Sequence, residues 1–253
     1  MKARGGERCH GLRQIVRFNW PFYALALVFV IPGPLIVPRL PGSGALHAGL
    51  YVAIGLTAFW TLGSLGASWL VYDHSNLMTA EWVREALGYR PRAWVNIHAG
   101  LDESTPVLRA QLRGTEGRVF DIFDSRVTTE PSIARARRAS DTSDSERVDF
   151  HHLPAATATL DAAFLLLSAH ELRTPGDRRA LFAELHRVLK PESRVIVAEH
   201  LRDAANVLAF GPGAWHFHSR RTWTQDFAQA RFGVYDEFPI TPFVRVFVLR
   251  RLP

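Results

Sequence analysis

The chain has 253 residues, of which 47% are hydrophobic and 21% are charged, a composition that excludes an intrinsically disordered polypeptide. A single cysteine, Cys9, excludes an intramolecular disulfide and any zinc or iron–sulfur site built from several cysteines. The formal net charge of +6 at pH 7 suits an anionic partner, but no nucleic-acid-binding motif accompanies it, so we expect no nucleic-acid partner.

The N-terminal part of the chain contains two long segments without charged residues. Residues 18–38 and 40–72 contain no Asp, Glu, Lys or Arg, and a membrane-spanning helix needs roughly 20 predominantly apolar residues. The second segment predicts one continuous helix, for which a buried helix of a soluble core is the alternative. The first is interrupted by a Pro-Gly-Pro sequence at 32–34, which predicts a kinked or short helix. A signal peptide is the alternative for this first segment.

Basic residues flank both ends of this apolar region. Lys2 and four arginines precede it and three arginines follow it before residue 93, whereas the connector between the two segments carries only Arg39. Because Lys and Arg concentrate on the cytoplasmic side, this distribution predicts a multi-pass protein of the inner membrane with both ends in the cytoplasm. We expect a basic N-terminus at 1–17, two transmembrane helices at 18–72 and an α/β domain at 76–253.

In the C-terminal part, short apolar runs alternate with helical patterns. The expected helices are one that starts at Ser104-Thr105-Pro106, Ile133–Ala139 and Asp177–Leu189. The expected strands are Arg92–Ile97, Arg118–Phe123, Arg147–Phe150, Ala162–Ser168, Arg194–Ala198, Val234–Phe238 and Phe243–Arg250. Strands separated by helices predict a Rossmann-like parallel sheet covered on both faces, with the last strand as an antiparallel edge. The basic helix is expected to face solvent or anionic headgroups.

Polar side chains follow the predicted strands at the point where each strand ends. They are His98, Asp124, His170 with Glu171, and Glu199 with His200. Because ligands bind outside the carboxyl ends of the strands in such sheets, we expect the functional site at this edge.

Three short motifs occur in a characteristic order between Arg92 and Arg250. Asp149–Pro154, followed by Leu160-Asp161-Ala162-Ala163, is similar to an acid-x-x-x-Leu-Pro loop before a fourth strand. Glu184–Pro191 is similar to an Arg-Val-Leu-Lys-Pro helix end before a fifth strand. Asp124 with Ser132-Ile133 and Ala136-Arg137 is similar to an acidic end of a second strand and the helix after it. In this order the motifs resemble the class I S-adenosylmethionine-dependent methyltransferases, of the UbiE-like, type 11 kind, in a membrane-anchored bacterial branch.

The resemblance implies S-adenosylmethionine as the cofactor and assigns two carboxylates to it. Asp124, at the end of strand two, is expected to accept hydrogen bonds from the ribose hydroxyls, with Asp121 inside the strand as the second choice. Asp149 is expected to accept a hydrogen bond from the adenine amino group. Both acids have turn or loop capping as the alternative role.

The loop after strand one departs from the family pattern. Of three expected glycines only Gly100 is present, and His98 and Asp102 stand at the other two positions, while Asn96 replaces an acid. We expect His98, Gly100 and Asp102 to contact the cofactor in an altered form, with Asp102 near its amine.

Histidines at the same edge suggest acid–base chemistry. A methyl acceptor with an O–H or N–H group must lose its proton, and a histidine is the usual base, so His170, His200 and Glu171 are the predicted catalytic residues. Together with His98, His216 and His218, these residue types also suit Zn, Fe or Mn, although we assign no metal site from the sequence.

The sequence therefore predicts a membrane-anchored S-adenosylmethionine-dependent methyltransferase that acts on a small lipophilic acceptor dissolved in the membrane. The alternatives are a metal-binding enzyme or sensor, and a non-catalytic methyltransferase-like membrane protein. The acceptor and the oligomeric state are not determined by the sequence.

Overall fold

The computed structural model of the chain describes residues 9–126, 130–139 and 144–253. Part of the expected basic N-terminus, with Lys2, Arg4 and Arg8, lies outside the described residues. The strands within the described ranges are β1 (Ala93–His98), β2 (Glu116–Asp121), β3 (Glu146–Arg147), β4 (Leu160–Leu166), β5 (Leu189–His200), β6 (Phe232–Thr241) and β7 (Val244–Arg251).

The α-helices include four N-terminal ones and six within or beside the sheet domain. They are α1 (His10–Phe18), α2 (Trp20–Val30), α3 (Gly33–Ile36), α4 (Gly44–Trp69), α5 (Val83–Leu87), α6 (Thr105–Gln111), α7 (Pro131–Ala139), α8 (Pro175–Val188), α9 (Ala204–Phe210) and α10 (Arg220–Gln229). Short 3₁₀ helices cover Val37–Arg39, Ala169–Glu171 and Gly211–His216, and a π-helical turn at Leu70–His74 extends α4.

The strands form one sheet in the order β3-β2-β1-β4-β5-β7-β6. Strands β1 to β5 pair in parallel, whereas β7 is antiparallel to both β5 and β6. The predicted Rossmann-like sheet and its antiparallel C-terminal strand are confirmed. Within the sheet, β7 lies one position inside the edge, because β6 pairs along its outer side.

Both faces of the sheet are covered, so the central strands are buried on both sides. On one face, Val95 and Leu165 pack with Leu181 of α8 and Phe227 of α10. On the other face, Trp94, Phe164 and Ile196 pack with residues of α5 and α6, and also with Val71 from the π-helical turn. Val71 is completely buried, so the end of α4 is part of the domain core and not a free linker.

The two apolar segments form helices, most of whose side chains are not buried by the rest of the protein. The helical stretches Trp20–Arg39 and Gly44–His74 are long and apolar enough to cross a membrane, and only 6% of the 18-residue apolar window of each is buried. Leu25, Val28 and Leu62 are each about 70% exposed, so most of the length of these helices is not buried in the core of the domain. The expected interruption is present, since α2 ends at Val30 and α3 begins after Pro32.

Close backbone contacts fix the apolar helices against the sheet domain. A Cβ atom at Gly63 of α4 would lie 2.9 Å from the carbonyl oxygen of Ala209 in α9, so this contact requires glycine. In the π-helical turn after α4, both carboxylate oxygens of Asp73 accept hydrogen bonds from the backbone N–H groups of Gly11 and Leu12, which caps α1. The helices therefore have a defined position beside the carboxyl edge of the sheet.

Two expectations about the second strand and the basic helix need correction. Strand β2 ends at Asp121, so Asp121 is its last residue and Asp124 belongs to the loop that follows. The basic helix α7 does not simply face solvent, because Arg137 forms an ion pair with Asp121 and Arg135 donates to the carbonyl oxygen of Phe18. Helix α7 therefore joins α1 to the end of β2.

Candidate functional site

Two cavities open at the carboxyl edge of the sheet. The first, which we call the β2 cavity, has a volume of about 750 Å³ and is lined by residues 122–126 and 147–151. The second, the β4–β5 cavity, has a volume of about 980 Å³ and is lined by the loops after β1, β4 and β5 together with α1, α2 and α4. The predicted site residues divide between these two cavities and the loop that separates them.

The β2 cavity contains two of the predicted cofactor carboxylates. Asp124 forms an ion pair of 2.6 Å with the exposed Arg126, and hydrogen bonds from Arg126 lower the pKa of Asp124 to about 2. Asp149 accepts a hydrogen bond of 2.8 Å from the backbone N–H of His151. Both acids are therefore tied to neighbours two residues away, and the buried ring of Phe150 lies beside them.

His98 and Asp121 are buried and hold the loops together. The Nδ1 atom of His98 accepts a 3.3 Å hydrogen bond from the backbone N–H of Gly100, and its Nε2 lies 2.9 Å from the hydroxyl of Ser145. Burial lowers the pKa of His98, so its imidazole is neutral at pH 7. Asp121 is paired with Arg137. Neither His98 nor Asp121 is among the described residues that line the two cavities.

Side chains cover the turn at Gly100. This residue has a φ of +96°, and a Cβ atom there would lie 3.0 Å from Phe123 Cδ2 and 3.3 Å from Ile133 Cγ2. Asp102 does not project into a cavity, since its Oδ1 accepts hydrogen bonds from the backbone N–H groups of Ser104 (3.2 Å) and Thr105 (2.9 Å) at the start of α6. Here Asp102 acts as a helix cap.

The predicted catalytic residues His170 and Glu171 meet in the β4–β5 cavity. Nε2 of His170 lies 3.2 Å from Oε1 of Glu171, and Nδ1 of His170 lies 2.6 Å from Oε2 of Glu199. Oε1 of Glu199 accepts further hydrogen bonds from the backbone N–H groups of Ala169 and His170. Burial alone would lower the pKa of His170, but the charges and hydrogen bonds of Glu199 and Glu171 raise it to about 10.

His200, the third predicted catalytic residue, lines the same cavity in a different environment. Its Nδ1 lies 2.9 Å from the carbonyl oxygen of Phe243, and because a carbonyl can only accept, Nδ1 carries the proton. Burial and the charge of His170 lower the pKa of His200 to about 4, so the ring is neutral at pH 7. The ring stacks on Phe217 with 4.8 Å between centroids. Because the proton is on Nδ1, Nε2 is a hydrogen-bond acceptor.

His216 joins this cluster, whereas His218 points elsewhere. Nδ1 of His216 lies 3.2 Å from Oε1 of Glu130, and its Nε2 lies 3.8 Å from Oε1 of Glu171. Nε2 of His218 accepts a hydrogen bond from the buried Arg178, which itself pairs with Asp226. Of the five candidate histidines, His170, His200 and His216 therefore share one cavity, and His98 and His218 are not among the residues that line it.

Sequence reasoning missed two acids in the β4–β5 cavity. Glu103, in the loop after β1, lines this cavity, and burial together with the charge of Asp102 raises its pKa to about 7. Its position directly after Asp102 was a signal that could have identified it. Glu130 also lines the cavity, but nothing in its sequence neighbourhood marks it, since its partner His216 is far away in the chain.

The apolar helices provide the other wall of the β4–β5 cavity. Helix α4 contributes one hydroxyl-bearing stripe, and α1 and α2 contribute Phe18, Phe22 and Tyr23. The stripe consists of Thr57, Thr61, Ser64 and Ser68. The hydroxyls of the first three donate to carbonyl oxygens of α4 itself, so this wall stays weakly polar. The cavity thus connects the apolar helices with the ionisable residues after β4 and β5.

The residues of the β2 cavity fit the nucleoside half of S-adenosylmethionine, the cofactor that the resemblance implies. Asp124 and Asp149 supply acceptors for hydroxyl and amino groups, and Phe150 supplies an apolar surface for a base. At Gly100, Phe123 and Ile133 already lie within 3.3 Å of the position of a Cβ atom, so this side of the turn is in contact with side chains.

Part of the sequence matches a known domain family. The sequence model of a methyltransferase domain family, type 11, matches residues 118–197, which is less than half of the chain. A search of curated proteins gave no significant match.

Solved structures share the fold at low sequence identity. A SAM-dependent methyltransferase from Aquifex aeolicus superposes with a TM-score of 0.53 at 16% identity, covering 70% of this chain and 93% of its own. The pyocyanin biosynthetic protein PhzM gives 0.56 at 17% identity, covering 98% and 74%. A geranyl diphosphate C-methyltransferase from Streptomyces coelicolor, in complex with Mg²⁺, geranyl diphosphate and S-adenosyl-L-homocysteine, gives 0.50 at 15%, covering 68% and 78%.

These structural similarities establish the fold, and the matched domain lies within it. Together they show a methyltransferase-like fold and a methyltransferase domain match over part of it.

Proposed function

We propose that the protein is a membrane-anchored S-adenosylmethionine-dependent methyltransferase that acts on a small lipophilic acceptor. The observation that carries this proposal is the β4–β5 cavity, which is lined both by the apolar helices and by the loops after β1, β4 and β5. A lipophilic molecule dissolved in a bilayer can reach such a cavity along the helices without crossing water.

Membrane anchoring is supported by the exposed surface of the apolar helices. A contiguous apolar surface of this kind is rare on soluble monomers and marks a membrane or protein contact. Leu208 and Trp215, in the segment that packs on α4, are also more than 60% exposed and extend this surface. In our proposal α2 to α4 form a transmembrane hairpin, and the flanking basic residues keep the domain at 76–253 in the cytoplasm.

The residues that would hold the cofactor lie at the β2 cavity. Asp124 and Asp149 would bind the ribose and the adenine, and Gly100 would lie against the remainder. When bound, S-adenosylmethionine supplies a methyl group activated on a sulfonium. His98 and Asp102 contribute by holding this loop, through their hydrogen bonds to Gly100 and to the start of α6.

Three side chains of the β4–β5 cavity would act on the acceptor. The neutral His200 presents Nε2 as an acceptor for a proton from an O–H or N–H group, because the carbonyl oxygen of Phe243 occupies Nδ1. Glu171 and His170, which form a 3.2 Å pair on the same cavity, would orient the polar end of the acceptor. The geranyl diphosphate methyltransferase shows that this fold accommodates an isoprenoid acceptor, which supports the lipophilic class.

A second candidate function is a methyltransferase-like protein without catalysis. Two observations favour it. The side chains of Phe123 and Ile133 pack closely against Gly100. In addition, Asp121 forms an ion pair with Arg137. This candidate predicts that S-adenosylhomocysteine does not bind to the purified protein.

A labelling experiment tests the proposal. The full chain in detergent is incubated with methyl-labelled S-adenosylmethionine and a total lipid extract, and the label in the organic phase is counted. Calorimetry with S-adenosylhomocysteine is run in parallel. We expect both binding and transfer; absence of both overturns the proposed function and leaves the non-catalytic candidate.

Two variants on α4 test whether methyl transfer uses the β4–β5 cavity. Thr61→Trp places a large ring in the β4–β5 cavity, whereas Leu62→Trp places it on the exposed face of the same helix. We expect Thr61→Trp to lower transfer at least tenfold without changing S-adenosylhomocysteine affinity, and Leu62→Trp to change neither. Equal effects of the two variants would show that the acceptor does not use this cavity.

A further inference from the structure

Three potential ligand atoms converge on one point of the β4–β5 cavity. The ligand atoms of His170, Glu171 and His216 all lie within 4.8 Å of one another. Oε1 of Glu171 lies 3.2 Å from Nε2 of His170 and 3.8 Å from Nε2 of His216. The chain therefore presents two imidazole nitrogens and one carboxylate to a common centre, from elements that are widely separated in sequence.

The other ring nitrogen of each histidine is held by a second carboxylate. Nδ1 of His170 lies 2.6 Å from Oε2 of Glu199, and Nδ1 of His216 lies 3.2 Å from Oε1 of Glu130. Metal-binding histidines almost always donate their second ring N–H to such a group, which fixes the tautomer and the ring orientation. Both Nε2 atoms are thereby turned towards Glu171.

An independent observation is the second oxygen of Glu171. The Glu171 side chain is only 5% exposed, and its Oε2 atom is buried without a hydrogen-bond partner among the described residues. Leaving a buried carboxylate oxygen unpaired is unfavourable, because its hydration is lost without a replacement, so such an atom needs an explanation. A cation bound by Glu171 would satisfy it.

The negative charge of the cluster and its access to the β4–β5 cavity favour a divalent cation. Three carboxylates surround the two histidines, and the guanidinium of Arg173 is occupied by the carbonyl oxygens of His170 and His216. All three ligand residues line the β4–β5 cavity, so a bound ion keeps open positions on the cavity side. Three protein ligands with open positions are typical of metal sites that bind a further ligand.

We propose that His170, Glu171 and His216 form a binding site for one divalent transition-metal ion, supported by Glu199 and Glu130. Two histidines and one carboxylate are a donor set used for Zn²⁺, Fe²⁺ and Mn²⁺. The open positions face the space assigned to the acceptor, so the ion would hold an oxygen or nitrogen atom of whatever occupies the cavity. The site stands on its own geometry and does not require methyl transfer.

Metal titration of the full chain tests this site. The detergent-solubilised protein is stripped with a chelator and dialysed separately against micromolar Zn²⁺, Mn²⁺ or, without oxygen, Fe²⁺, and bound metal is measured by mass spectrometry. Co²⁺ serves as a spectroscopic probe, because its visible absorption reports imidazole and carboxylate ligation. We expect one ion per chain for at least one of these metals, and no stoichiometric ion with any of them overturns the proposal.

Variants separate ligands from their surroundings. Glu171→Gln and His216→Ala are expected to lower metal affinity at least a hundredfold, and Glu199→Gln about 10–100-fold through the orientation of His170. His152→Ala removes an exposed histidine outside the cluster and should leave affinity unchanged. Unchanged affinity in Glu171→Gln and His216→Ala overturns the proposal.

Folding and cofactor binding are read separately in the same samples. Glu171→Gln preserves the shape of the side chain, and its thermal unfolding and S-adenosylhomocysteine binding show whether the fold is intact. Because metal content is measured without turnover, metal binding without methyl transfer refutes only the proposed function, and transfer without metal refutes only the metal site.

Discussion

The β2 cavity and the β4–β5 cavity lie on the same edge of one sheet, but their carboxylates differ in burial and in how far along the chain their partners lie. In the β2 cavity, Asp124 is partly exposed and pairs with Arg126 two residues away. Behind the β4–β5 cavity, the side chain of Glu199 is fully buried and pairs with the cavity residue His170, 29 residues away in the chain. One site is built from local turns, and the other exists only when the elements are packed.

This difference determines how each site depends on the fold. Exposed ion pairs contribute about 0–1 kcal/mol to stability, so the acids of the β2 cavity are free to serve a polar ligand. Removing one partner of a buried pair costs about 3–5 kcal/mol, because the other charge is left without compensation. The β4–β5 cluster is therefore both a candidate site and a structural element, and the following experiments separate these roles.

The largest effect is expected for Glu199→Ala. It leaves the buried His170 and two backbone N–H groups without their acceptor, so the free energy of unfolding should fall by about 3–5 kcal/mol. Denaturant unfolding in detergent measures it. Glu146→Ala breaks the exposed pair with Arg118 and should cost less than about 1 kcal/mol. Similar losses in both variants would remove the distinction between the two kinds of pair.

Asp124→Ala should act on binding and not on stability. Losing a charged acceptor for the ribose hydroxyls should lower S-adenosylhomocysteine affinity about 10–100-fold. The free energy of unfolding should change little, because the side chain lies in an exposed loop. The exposed Asp236→Ala is the control for calorimetry. An unchanged affinity in Asp124→Ala would place the ribose elsewhere, with Asp121 the next carboxylate to test.

Gly100→Ala tests the loop between the two cavities. The residue has a φ of +96° and its new Cβ would touch Phe123, so the protein should lose about 1 kcal/mol or more of stability. Gly176→Ala in the first turn of α8 meets nothing closer than 3.7 Å and should be neutral or stabilising by about 0.4–1 kcal/mol. Thermal unfolding compares the two, and equal melting temperatures would show that the loop relaxes freely.

The smallest effect concerns Glu103 and appears as a pH dependence. Burial and the charge of Asp102 raise its folded-state pKa from 4.5 to about 7, so its contribution to stability is present below pH 4.5 and is lost as the pH rises through 7. Glu103→Gln should therefore lose less stability than the wild type over this interval. The effect is limited because Glu103 is partly exposed. Parallel pH profiles in the two proteins would contradict the raised pKa.

Much of the fold was accessible from the sequence because its signals are local. Apolar runs and helix starts, such as Thr105-Pro106, located the strands and helices of the sheet to within a few residues, except for the longer β5 and the much shorter β3. The end of β2 was predicted two residues too late, since Ile122 and Phe123 are apolar and look like strand residues. Helices α5, α9 and α10 were not predicted from the sequence. The contact of α9 with α4 was not predicted either, because no local pattern identifies the partner of a short helix.

The candidate site was only partly accessible. The sequence placed His170, Glu171 and His200 at one edge, and the structure brings them to one cavity, while their catalytic roles remain predictions. It did not show that His98 and Asp102 are used for hydrogen bonds within their own loop. Those bonds depend on backbone groups whose position is fixed only after β1 and α6 pack.

The sequence by itself determined the apolar character of the N-terminal helices, the alternation of strands and helices, and which ionisable residues follow the strands. These properties follow from the order of side chains along a short stretch of chain. Tertiary structure alone decided that α4 closes the cavity beside His200, that Glu130 meets His216, and that Glu199 lies under His170. Such pairs join residues far apart in sequence, and their energies depend on burial, which exists only once the layers have packed.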